Sequence, residues 1–73
     1  MNEHFDESIA SEMARLATDI IEFADDLRNG IPKSRNAFKH ISKSYSRYKK
    51  LGGNHYIDAE YAFIKQAMID ENN

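Results

Sequence analysis

Two sets of side chains in this sequence have the types and spacing to do chemistry. Lys39, Lys43, Arg47 and Lys50 recur at intervals of four, four and three, which on a helix stacks four cations into one ridge. Asp19, Glu22 and Asp26 recur at intervals of three and four, which aligns three carboxylates on one helix face. A cationic ridge suits an acidic protein surface or the phosphates of a nucleic acid, with Ser42 and Ser46 beside it as hydroxyl donors. A carboxylate row suits either a cation or water. Here no EF-hand loop accompanies it, so a solvated edge is expected. His4, His40 and His55 form neither an HxxxH nor an HExxH pair, and no metal site is predicted. Cysteine is absent, which removes disulfides, thiolate ligands and cysteine nucleophiles. No cofactor motif is present either.

The ridge is part of a larger sorting of charge. Residues 1–29 carry eight acids against two arginines, whereas residues 33–50 hold seven of the ten basic residues and no acid. By Asp, Glu, Lys and Arg alone, the chain falls into three blocks of −6, +7 and −3 behind its net charge of −2. A helix C-terminus favours Lys49 and Lys50 by its dipole, so those two need no other purpose. Asp25 and Asp26 lie at the unfavourable end of one helix and Lys33 and Arg35 at the unfavourable end of the next. Pairing among these four across a short turn is therefore expected. Lys39, Lys43, Arg47 and Lys50 are expected to face outward, out of reach of the acids on the first helix.

The elements that must position these side chains are three helices in one domain, residues 1–73. The breaks are Asn29-Gly30-Ile31-Pro32 and Leu51-Gly52-Gly53-Asn54, each with the chemistry of a helix end followed by a helix start. Ser34 and Asn54 are candidate N-caps. The reading is an all-α, compact three-helix bundle with helices about 6–28, 33–51 and 55–70. Ile9, Met13, Leu16, Ile20, Phe23 and Leu27 give the first helix an unbroken heptad seam, flanked by Ala10, Ala17 and Ala24 on one edge and Glu12, Asp19 and Asp26 on the other. Phe38, Ile41, Tyr45, Tyr48 and Leu51 form the apolar face of the second helix, with Tyr45 and Tyr48 half-buried and their hydroxyls at the rim. The third aligns Ile57, Tyr61, Ile64 and Met68. A second stripe on it, Tyr56, Ala59, Phe63 and Ala67, either widens the core or meets a second subunit of a homodimer.

A composition of 41% hydrophobic and 30% charged residues, with eight Phe and Tyr, is that of a folded domain rather than a disordered tail. No apolar run approaches the roughly 20 residues of a membrane span, and the acidic start lacks a signal peptide's basic flank and apolar centre. With the missing cysteines, this fits a cytoplasmic protein.

Leu51-Gly52, His55, Ile57-Asp58-Ala59 and Tyr61 resemble the start of the last helix of the all-helical chorismate mutases, over about the final third of the chain. That family binds a dicarboxylate through arginines and a lysine on a much longer first helix and on the second. Here Arg15 and Arg28 lie off the apolar seam and Gly30 to Pro32 end the helix early, so no catalytic residue carries over. The expected activity is binding without catalysis: a small regulator, adaptor or inhibitor whose ridge meets an acidic surface of a larger protein. Tyr56, Ala59, Phe63 and Ala67 would supply its apolar contact. The alternative is a nucleic-acid-binding regulator using the same ridge, since charges four residues apart on a helix lie about 6 Å from one another, close to the spacing of phosphates. The net charge of −2 and the absence of a recognition motif favour the protein partner.

Overall fold

Both interhelical turns close with the same device, and it fixes where the first two helices stop. In the computed structural model, which describes the backbone of residues 3–71 and the side chains of residues 7–71, the helices are α1 (Glu3–Arg28), α2 (Arg35–Lys50) and α3 (His55–Glu71). Gly30 and Gly52 follow α1 and α2 in the left-handed conformation, at φ 79° and 94°. Ile31 N–H then donates to the Asp26 carbonyl and Gly30 N–H to that of Leu27. Gly53 and Gly52 repeat the pattern onto Tyr48 and Lys49. This is the Schellman arrangement that sequence chemistry predicts for glycine just past a helix. Ser34 takes the N-cap of α2, its hydroxyl accepting from Ala37 N–H at 3.0 Å. Pro32 and Lys33 consequently stay outside the helix, which starts two residues later than expected. Asn54 accepts from Tyr56 N–H at 3.0 Å and so serves the start of α3.

Around α1 the predicted seam is the core. Leu16, Ile20 and Phe23 are buried, Met13 and Leu27 pack beside them, and Ile41 and Tyr48 from α2 and Ile57, Ile64 and Met68 from α3 complete the cluster. Ala24 is wholly enclosed and Ala17 packs against the core, so the alanine edge does admit a close neighbour. Tyr48 is buried more deeply than expected, and a Cβ on Gly53 would collide with its ring. Glycine at 53 is thus required by packing rather than by its backbone angles.

Helix lengths determine the outline. At 1.5 Å per residue the 26 residues of α1 extend about 39 Å, and the 16 of α2 about 24 Å. Because Lys33 is tied to Asp26 at 2.6 Å, α2 starts beside the end of α1 and runs out near Glu12, where Arg47 pairs with it. The third helix turns back toward the end of α1, where Glu60 meets Arg28. Neither neighbour accompanies the first turns of α1: residues 7–15 include no buried side chain, and Ile9 is outside the core cluster. The long dimension is accordingly 51 Å, and the radius of gyration of 13.5 Å exceeds the roughly 11 Å of a spherical domain this size.

Between α2 and α3 the contact is made by large side chains. The rings of Tyr45 and Tyr61 stack at 4.1 Å, Phe38 lies 6.4 Å from Tyr61, and Ser42 Oγ and Tyr61 Oη share a 2.7 Å hydrogen bond.

Candidate functional site

The seven bases of the middle block divide by what holds them. Lys33 pairs with Asp26, and Lys49 reaches Asp58 at 3.0 Å and the Gly53 carbonyl at 3.3 Å. Arg47 grips Glu12 with two bonds, Nε to Oε2 at 2.8 Å and a terminal nitrogen to Oε1 at 3.1 Å. That fork holds the Glu12 carboxyl below its ordinary pKa, chiefly through the hydrogen bonds from Arg47. The expectation that α1 acids could not reach the ridge is therefore corrected at Arg47. The position lies at the edge of the α1–α2 seam, and a heptad flank on one helix meets the flank of the next. Arg35, Lys39, Lys43 and Lys50 remain, exposed and with no ion pair among the described residues. Of the expected turn pairings only Lys33 with Asp26 forms; Asp25 is taken by Arg28 at 2.8 Å, leaving Arg35 free to join the exposed set.

Three surface depressions run in series along this face. Lys39 and Lys43 join Asn36 and His40 around one of about 170 Å³. Lys43 also borders the next, of about 320 Å³, with Ser42, Ser46, Arg47 and Lys50. In the other direction Lys39 borders a third of about 280 Å³, whose walls are Arg35 and Phe38 of α2 and Met68 and Ile69 of α3. The first two are lined by a single helix and cannot enclose a substrate. The third is apolar at its floor and cationic at its rim. Of its apolar walls Phe38 and Met68 were read from the sequence as core faces, whereas Ile69, which directly follows a core residue and is half exposed, was not singled out.

The second stripe on α3 is divided. Phe63 and Ala67 are half-buried; Phe63 packs on the core and has the Arg28 guanidinium 4.5 Å above its ring. Tyr56 and Ala59 are exposed, Tyr56 at 62%. Arg28 also donates to Asp25 at 2.8 Å and to Glu60 at 3.0 Å, and Glu60 is buried. Arg28 is thereby committed to the fold, and Arg15 is exposed on α1. Asp58 gathers Tyr45 Oη at 2.6 Å, Lys49, and His55 Nδ1 at 3.1 Å. Hydrogen bonds from Tyr45 first, then from Lys49 and His55, lower its carboxyl to about 2, and the same contact with Asp58 pushes the Tyr45 phenol up to about 12.

Asp19 and Glu22 are exposed while Asp26 turns to Lys33, so the carboxylate row does not converge. Among the described residues no group of three or more His, Asp or Glu could hold a metal ion, and His4 lies outside the described side chains. No helix there is long and apolar enough to cross a membrane. Compared with protein families, curated proteins and solved structures, the chain matches none.

Proposed function

We propose that this chain is a small regulator, adaptor or inhibitor that acts by binding, without catalysing a reaction, and that its exposed α2 face meets an acidic surface of a larger protein. One observation carries this reading. Among the described residues Lys33, Arg47 and Lys49 are neutralised by ion pairs, and Arg35, Lys39, Lys43 and Lys50 are not. Like charges at i and i+4 cost a helix about 0.2 to 0.5 kcal/mol per pair, so the row Arg35, Lys39 and Lys43 is retained against a small penalty. An acidic partner would turn that penalty into attraction and speed encounter.

The test is affinity capture from lysate with and without nuclease, comparing the natural chain with the double substitution Lys39→Glu and Lys43→Glu. A protein partner retained after nuclease and lost on charge reversal is the expected result. Unchanged capture by the reversed chain removes the basic face from the mechanism. Loss of the partner on nuclease treatment alone assigns the face to nucleic acid instead.

A further inference from the structure

The three depressions along α2 are one track, because Lys39 borders two of them and Lys43 borders two. One end is chemically unlike the rest. Phe38, Met68 and Ile69 make an apolar cup there, with Arg35 and Lys39 on its rim. Phe38 is shared with the stack of rings between α2 and α3, where it lies 6.4 Å from Tyr61 and Tyr61 lies 4.1 Å from Tyr45. Its volume of about 280 Å³ lies just under the roughly 300 Å³ at which small-molecule sites begin, and it suits a single large side chain.

We infer that the track takes an acidic segment of a partner protein carrying one large apolar residue. The apolar residue seats between Phe38, Met68 and Ile69, and the carboxylates lie along Lys39, Lys43 and Lys50. This rests on the preceding reading, that the α2 face binds an acidic protein, and adds the form of the ligand. Charge selects the occupant. A cationic rim of Arg35 and Lys39 repels a basic flank and attracts an acidic one, and an apolar side chain entering the cup covers Ile69, which the fold leaves half exposed. From Lys39 to Lys50 the helix rises about 16 Å, the reach of about five extended residues, so the acids must follow the anchor closely.

Two fluorescein-labelled synthetic peptides test this by anisotropy against the full chain. One carries a phenylalanine beside five consecutive glutamates; the other has alanine in place of the phenylalanine. The phenylalanine peptide is expected to bind at least about tenfold more tightly, consistent with burial of a large apolar side chain. Ile69→Ser should remove that advantage and leave the alanine peptide's affinity unchanged. Since Ile69 is half exposed, its replacement leaves the helical circular dichroism intact. Lys43→Glu should weaken both peptides. Equal affinities of the two peptides for the natural chain would overturn the anchored ligand while the acidic-partner reading survived. Binding of neither would overturn both, and tighter binding of an RNA or DNA duplex of matched charge would replace the acidic segment by nucleic acid.

Discussion

Asp58 accepts from Tyr45, Lys49 and His55, and so ties the end of α2 to the first turn of α3 through one carboxylate. Its pKa near 2 lies below the roughly 3.9 of an unfolded aspartate, so the stability it contributes is complete above about pH 4 and is lost as pH falls through about 2. The Tyr45 phenol is shifted the other way. Raised to about 12 from an ordinary value of about 10, it contributes stability that is complete below pH 10 and lost as pH rises through 12. Absorbance at 295 nm should therefore show Tyr45 ionising late, and Asp58→Asn should return that titration toward the ordinary range while flattening the acid limb of stability between about pH 4 and 2. Gly53→Ala, which drives a methyl into the Tyr48 ring, should cost about 1 to 3 kcal/mol by urea denaturation. Neither residue's role was legible in the sequence. Asp58 finds its partners through the register of α2 against α3, which no spacing within one helix encodes. Glu60 did leave a trace, because it shares the three-and-four spacing of Ile57 and Ile64, but its partner Arg28 lies 32 positions away.

At the scale of the element, periodicity identified the buried face of every helix and glycine marked two of the ends, because both signals are local. How much of a seam is covered is not local. Ile9 and Ile20 occupy equivalent positions on the same stripe, yet Ile20 is wholly enclosed while Ile9 lies beyond the reach of α2 and α3. Ile20→Ala should accordingly cost about 2 to 5 kcal/mol, whereas Ile9→Ala should cost less than about 1 kcal/mol. Circular dichroism melts in urea separate these outcomes. Similar losses at both positions would mean that the first turns of α1 are packed in solution. The expected spans, 6–28 and 33–51, already made the first helix the longer, and the structure widens the difference: 26 residues cannot be matched along their whole length by 16. The anchor that aligns α2 with the end of α1 and leaves its beginning uncovered, Lys33 on Asp26, is one of the pairings expected across the turn, but which of the four charges would pair was not encoded locally.

Across the whole molecule the sorted charge separates what the fold uses from what it leaves over. The acidic first block and the basic second are adjacent in space, and among the described residues they neutralise one another only along the α1–α2 seam and turn, at Glu12 with Arg47 and Asp26 with Lys33. Away from that line Arg35, Lys39 and Lys43 face solvent one turn apart, and no ion pair among the described residues opposes their mutual repulsion. Reversing Lys39 and Lys43 together should therefore leave stability unchanged within about 0.5 kcal/mol or raise it slightly, because each reversal lies four residues from a remaining arginine, Arg35 or Arg47. Glu12→Gln should lower stability, since it removes the charge and replaces one of the two acceptor oxygens of the Arg47 fork with a donor. The contrast decides whether the face is held for the fold or for a partner. If reversal at Lys39 and Lys43 costs more than about 1 kcal/mol in urea, those cations support the fold, and any loss of binding on reversal would reflect damage to it. If stability holds while capture is lost, Lys39 and Lys43 act on a partner and not on the fold.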